Sequence, residues 1–465
     1  MRRLILPPWP IMVGLGLLAL AGLLVFEDQR RQGLYWYDVG EDYRYRFEGE
    51  EVERIPVRVT AEGFSLPQWS KEWRTALLHL SVTSDSAGRW FEPSLEARTA
   101  GGPPCGQFFE RGAEGGRYVN LCLQSAIANP GDLVRLAGNH LRWAEQEAEL
   151  LLFSAADPDR ARILVLAPHP DDAEIGAFGL YAGRQSWVVS ITTGSYGGDV
   201  YRNLVADAAE RETLQASLRV WDSLEVPRWG GVPPERTLNL GYFTLALEPM
   251  YRNPDSVVPN PFSGTDDIAR WRAWNSSSLL DGRPAISSWE NLVGDLAHLL
   301  EQIRPDIVVS PHPVLDGSSD HEFTTVALLE ALERIGDPPL HLFLYTVHHP
   351  RGHYFPAGPA GAAVTLPPWF DDATPFRSIY AHPLDQHQQI AKLFALDAMH
   401  DLRVAPEAVL LSGLMDGGDR LVGAVAGIWR DPARELSFFR RAVRPTELFF
   451  VYDTRDRERL QRLVE

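Results

Sequence analysis

Cysteine is scarce in this sequence: the 465 residues include 2, Cys105 and Cys122. Two are too few for the stapled scaffold of a disulfide-dense domain, and their placement fits no thiolate zinc site. Basic runs are missing as well. The 44 Lys and Arg are outnumbered by 62 Asp and Glu, giving a formal net charge of −18. A surface that tracks phosphates needs clustered cations, so a nucleic-acid partner is excluded. Strong compositional bias is absent too, with 45% apolar and 23% charged residues. That balance is ordinary for a globular chain and rules out wholesale disorder. The length suggests two or three domains of roughly 100–200 residues each.

One long hydrophobic run is present. Leu4 to Phe26 carries no charge, and Ile11 to Phe26 is almost continuously apolar. Such a run is long enough to span a bilayer core of about 30 Å. Ala19-Leu20-Ala21 resembles a signal-peptide cleavage site, but the apolar run continues beyond it, which suits an anchor better. The expectation is an uncleaved transmembrane helix within residues 1–32, placing the protein in the plasma (inner) membrane as a single-pass protein. Arg2 and Arg3 argue for a cytoplasmic N-terminus and an extracytoplasmic body, while Arg30, Arg31, Arg44 and Arg46 on the other side nearly cancel that bias and leave the side open. A Cys105–Cys122 disulfide would fit an oxidising compartment.

Residues 33–157 read as short alternating segments. Tyr43, Tyr45 and Phe47 alternate with arginines, Ile55, Val57 and Val59 with Arg54, Pro56 and Arg58, and Leu78, Leu80 and Val82 with His79 and Ser81. Period-two alternation buries one face of a strand, so an all-β sandwich is expected here. Ser154 to Arg160 reads as a linker. Beyond it, residues 158–465 show apolar runs alternating with amphipathic helices, the pattern of an α/β, Rossmann-like parallel sheet. One helix is clear. Ser287 and Glu290 have capping-box spacing, Leu292, Leu296, Leu299 and Ile303 form a stripe, and Pro305 stops it.

The chemistry collects at two strand ends. Ile163 to Ala167 is a buried-strand run, followed by Pro168-His169-Pro170-Asp171-Asp172 and a helix-like stretch. Asp306 to Ser310 repeats the arrangement, followed by Pro311-His312-Pro313 and then Ser318-Ser319-Asp320-His321. In an open parallel sheet, ligands bind beyond the carboxyl ends of the strands. One imidazole from each loop plus one carboxylate is the donor set of a catalytic zinc centre with open positions. The adjacent Asp171 and Asp172 could divide the work, one binding metal and one acting as base toward water.

Leu166-Ala167-Pro168-His169-Pro170-Asp171-Asp172-Ala173-Glu174-Ile175-Gly176, with Asp320-His321 downstream, resembles the PIG-L/LmbE-like zinc-dependent de-N-acetylases. The resemblance covers about residues 160 to 415. It implies Zn2+ or another divalent metal held by His169, Asp172 and His321, with Asp171 as the general base. Ser318 stands where the family usually carries a histidine, so His312 is either the substitute that stabilises the oxyanion or protonates the leaving amine, or a plain loop histidine. The family's helical arginine has no aligned match, since Arg211 is shifted, and Phe243 follows Leu240-Gly241-Tyr242 where an acid is usual.

The implied function is removal of acetyl from an N-acetylated amino sugar of GlcNAc or GalNAc type. With the expected anchor, the substrate would be a glycolipid, a lipopolysaccharide or another cell-envelope glycan. The alternative is a non-catalytic glycan-binding or scaffold protein that keeps the fold. Two long inserts, 229–284 and 349–377, are rich in aromatics, and Trp271, Trp274 and Tyr251 either stack on sugar rings or cover an enlarged core.

Overall fold

The computed structural model describes residues 13–22, 34–99, 102–352, 354–402 and 438–462. Two antiparallel sheets occupy the first half. One pairs Val52–Val59, Gln146–Phe153, Thr75–Ser84 and Glu114–Asn120 in that order, with Leu141–Arg142 added beside Thr75–Ser84. The other pairs Gly63–Ser65, Leu133–Asn139, Ser94–Arg98 and Cys105–Phe108. Val57, Val59, Leu78, Leu80 and Leu152 of the first sheet share one apolar cluster with Leu95, Ala97, Val134 and Leu136 of the second. Cys105 and Cys122 form a disulfide at the rim of this cluster.

Thr75–Ser84 departs from strict alternation, because Ala76 and Leu77 are buried alongside Leu78. The reason is a second covered face. Leu77, Tyr118, Leu151 and Phe153, with Tyr43, Tyr45 and Phe47, join the cluster that holds Leu164, Leu166, Leu342 and Leu344 of the second half. Polar ties cross the same boundary: Asn120 Nδ2 donates to the Val364 carbonyl at 2.8 Å, and the Ala381 N–H donates to Thr75 Oγ1 at 2.8 Å.

The second half is an α/β unit: β1 (Arg162–Ala167), α1 (Asp172–Tyr181), β2 (Gln185–Thr192), α2 (Ala208–Glu225), β3 (Thr237–Tyr242), α3 (Trp289–Ile303), β4 (Ile307–Pro311), α4 (Ser319–Arg334), β5 (His341–Tyr345), β6 (Ser378–Pro383), α5 (Gln386–Ala398) and β7 (Thr446–Asp453). The sheet order is β3-β2-β1-β4-β5-β7-β6. The first five strands are parallel and β7 runs antiparallel to both neighbours. Ile163 to Ala167 are all at most 1% exposed, as a strand covered on both faces requires. The order reverses between β1 and β4, which opens a crevice beyond their carboxyl ends.

Helix α3 follows its sequence stripe, with Leu292, Leu296, Leu299 and Ile303 buried. Each contributes about 1.5–3 kcal/mol by leaving water. The cap is one residue later than expected: Ser288 accepts from the Asn291 N–H, while Ser287 Oγ donates to the Val258 carbonyl.

The expected membrane span is not supported. Residues 13–22 are helical, which at 1.5 Å per residue reaches about half of a 30 Å bilayer core. No helix among the described residues is long and apolar enough to cross a membrane. The single-pass inner-membrane placement is corrected accordingly. Residues 4–12 and 23–26 of the expected span lie outside the described residues.

Candidate metal centre

Beyond β1 the chain turns sharply through Pro168-His169-Pro170, and Asp171 adopts φ 123° before α1 begins at Asp172. A positive φ is strained for a residue with a β-carbon, and such strain concentrates at functional sites. From the neighbouring crest, the loop after β4 feeds α4, whose first turn carries Asp320 and His321. The two loops meet over the crevice.

Three donor atoms come together there. His169 Nδ1 lies 3.2 Å from Asp172 Oδ2, His321 Nε2 lies 3.1 Å from the same oxygen, and the two nitrogens are 3.3 Å apart. Tetrahedral ligands about 2.0–2.1 Å from a zinc ion would stand about 3.3 Å from one another, so this triangle fits three corners of such a site. The other ring nitrogens are fixed from behind. Asp320 Oδ2 is 3.0 Å from His169 Nε2, and Asp316 Oδ1 is 3.1 Å from His321 Nδ1. A proton on each rear nitrogen leaves His169 Nδ1 and His321 Nε2 with their lone pairs facing the triangle. Backbone N–H groups hold the two carboxylates in turn: Leu245 donates to Asp320 at 2.8 Å and Val347 to Asp316 at 2.6 Å.

The field at the triangle calls for positive charge. Burial works against a charged His169, yet Asp172 and Asp320 outweigh it and raise its pKa to about 9. Burial also opposes charge on His321, and Asp172 with Asp316 raises that group well above the usual histidine value. A divalent cation supplies the same compensation without protons, and the donor set is the two imidazoles and one carboxylate that suit zinc.

Asp171 stands beside the triangle. Burial raises its pKa to about 6, against the opposing pull of Arg219. Arg219 Nη2 is 3.2 Å from Asp171 Oδ2 and donates to the Pro170 carbonyl at 2.8 Å, while Nη1 donates to Asp401 at 3.0 Å. Gly194 makes room for this guanidinium, since a β-carbon there would fall 2.4 Å from Arg219 Nε. Arg219, Asp401 and Asp316 carried no signal that the motif reading used. Arg211, eight residues earlier on α2, instead donates to the Ala206 carbonyl at 2.6 Å.

His312 is elsewhere. Its Nδ1 accepts from the Val314 and Leu315 N–H groups at 3.2 Å, its Nε2 lies 3.3 Å from the Tyr452 hydroxyl, and its ring packs on Phe450 and Phe376. Burial lowers its pKa to about 3. Position 312 directly follows β4 and points into the sheet's core, so it does not join His169 and His321. The nearby imidazole is His348, beyond β5, with its ring centroid 5.1 Å from that of His321. Burial, then the charge of His321, lowers its pKa.

The remaining candidates divide. Trp271 is buried against Ala216, Val220 and Leu224, whereas Trp274 is 41% and Tyr251 40% exposed. Tyr242 is buried and donates to Asp295 at 3.0 Å.

Residues 164–332 match the model of the family described as PIG-L, GlcNAc-PI de-N-acetylase. Among solved structures, the chain is similar to a deacetylase triple mutant involved in teicoplanin biosynthesis, at 16% identity over 63% of this chain and 98% of that one, with a TM-score of 0.32. It is similar to the zinc-inhibited form of a teicoplanin deacetylase at 18% identity, with the same coverage of 63% and 98% and a TM-score of 0.31. It is also similar to 4-carboxy-2-hydroxymuconate hydratase from Pseudomonas putida, at 14% identity over 63% and 95% of the two chains, with a TM-score of 0.32. No curated protein matches the chain.

Proposed function

We propose, from the premise that residues 164–332 are a PIG-L family domain, that this chain is a metal-dependent de-N-acetylase acting on the acetamide of an N-acetylated amino sugar. The observation that carries the reading is the triangle of His169 Nδ1, Asp172 Oδ2 and His321 Nε2, with edges of 3.1 to 3.3 Å and a separate carboxylate, Asp171, beside it. A site that only stored a cation would have no use for that extra acid.

Held by His169, Asp172 and His321, a divalent cation of the zinc type would polarise the acetamide carbonyl and acidify water. Asp171 takes the proton of the attacking water and returns it to the departing amine. A carboxyl raised to about 6 by burial is matched to both tasks near neutral pH. Arg219 holds Asp171 in line through its 3.2 Å contact. His348 takes the part expected of His312, offering a hydrogen bond to the oxygen that becomes anionic. Acetate and a free amino sugar leave.

The first-half sheets, packed face to face as a sandwich over residues 33–157, are the spacer that backs the catalytic unit of residues 158–465. A glycolipid or lipopolysaccharide substrate rests on the expected anchor, and without that support the proposal stops at the amino sugar. Acetate release from GlcNAc- and GalNAc-bearing saccharides, suppressed by chelation and restored by zinc, tests the reading. Metal-loaded protein that releases no acetate from any of them contradicts it.

A further inference from the structure

A groove of about 590 Å³ lies outside the metal centre, between the end of α2, the turn that follows it and the end of α5. Trp221, Asp222, Glu225, Arg228, Trp229 and His400 line it. Trp221 is 55% and Trp229 57% exposed, so two indole faces are left open to solvent. Trp229 shares a ring contact with Phe394 of α5, the centroids 5.9 Å apart, and still keeps more than half of its surface open. The polar groups between them are paired with one another. Asp222 Oδ1 is 2.7 Å from His400 Nδ1, and Arg228 Nη1 donates to Glu225 at 2.6 Å.

We propose that this groove is a saccharide-binding subsite that holds sugar units of the substrate beyond the one being deacetylated. The inference rests on the amino-sugar reading of the metal centre. Three observations select a neutral glycan as the occupant. Flat, rigid aromatic faces stack on the apolar faces of pyranose rings at little entropic cost, and paired polar groups beside them serve hydroxyls as donors and acceptors. Two carboxylates, Asp222 and Glu225, against the one guanidinium of Arg228 offer no net attraction to an anionic headgroup, and the chain's net charge of −18 repels anions. The groove is also joined to the catalytic machinery. His400 is followed by Asp401, which accepts from Arg219 at 3.0 Å, and Arg219 in turn reaches Asp171.

The competing occupant is a second copy of this chain. Ile390, Leu393 and Phe394 lie on one exposed face of α5, and the Phe394 ring is 5.9 Å from that of Trp229.

The test compares binding of GlcNAc and of its β-1,4-linked tetrasaccharide by calorimetry on the full chain, with sedimentation across a concentration series. The expected result is at least tenfold tighter binding of the tetrasaccharide. Trp221→Ala and Trp229→Ala should each remove most of that preference, leaving GlcNAc binding and acetate release from GlcNAc unchanged. Trp221→Phe and Trp229→Phe keep an aromatic face and should retain part of it, which separates loss of stacking from loss of folding. Equal affinity for the two sugars, or a tetrasaccharide preference untouched in the alanine variants, overturns the proposal. So does self-association abolished by Trp229→Ala and Phe394→Asp. A chain-length preference without acetate release would uphold the groove while removing the deacetylase reading, so the two fail separately.

Discussion

Arg219 Nη2 lies 3.2 Å from Asp171 Oδ2, and the same guanidinium reaches Asp401 at 3.0 Å through Nη1. The pair is buried, with side chains about a tenth exposed. A buried ion pair is weak evidence of net stability, because desolvation consumes much of the attraction. Its value here is geometric: it fixes a strained residue whose carboxylate is the proposed base.

Arg219→Met should lower kcat on the order of a hundredfold, the usual consequence of a misplaced catalytic group. Metal content should stay near that of the wild type. Because Arg219 opposes the raised pKa of Asp171, its loss moves the acid limb of the pH–rate profile upward. Arg219→Lys should recover part of the rate. An unshifted acid limb in Arg219→Met would remove Arg219 from the base's environment.

Asp171 and Asp172 are adjacent, yet they should fail differently. Asp171→Asn should retain the metal and lose activity. Asp172→Asn should lose the metal first, since its Oδ2 is the corner shared by both imidazoles. Metal analysis of the two purified variants, alongside acetate release, distinguishes them. Equal metal loss in both would place Asp171 among the ligands.

His348 should take over from His312 the role read from sequence, an exchange of one imidazole for another. His348→Ala should cut kcat by roughly 10²–10³, the range for a lost oxyanion donor, with little change in thermal stability. His312→Ala should destabilise the fold by about 2–4 kcal/mol through the cavity left against Phe450 and Tyr452. Activity of the folded His312→Ala protein should remain. Thermal melts and kcat on both variants check the exchange.

The fold's stability should fall as pH rises through the range of one buried acid. Burial raises Glu92, against Arg111, from 4.5 to about 7. The folded state therefore keeps this proton where the unfolded chain releases it. Stability from this group is intact below about pH 4.5, declines across the interval up to about 7 and levels off above it. A shift of this size is worth on the order of 3 kcal/mol. Urea melts at pH 5 and pH 8 should show that slope, and Glu92→Gln should reduce it, leaving the part due to Glu174, which burial raises to about 8.

Much of the second half was legible because its signals are local. Ile163 to Ala167 followed by His169-Pro170-Asp171-Asp172 announces a buried strand ending in candidate metal ligands, and the stripe of α3 is periodic over its whole length. What the sequence hid is tertiary. Arg211 and Arg219 share one helix, and only packing against the Pro170 carbonyl selects the second. His169 and His312 both trail a strand, but their rings go to opposite places, one over the rim and one into the aromatic core beneath β7. His348 waits beyond β5, a strand that sequence alone could not set beside β4. The apolar N-terminal run reads as a span by composition, whereas its described helix covers residues 13–22 alone.

The most direct test is acetate release per bound metal, measured on the wild-type chain and on Asp171→Asn with a panel of GlcNAc- and GalNAc-containing saccharides. The account predicts about one divalent metal in each protein, turnover in the wild type and none in Asp171→Asn. One equivalent of metal with no acetate from any saccharide, or undiminished release in Asp171→Asn, would contradict it.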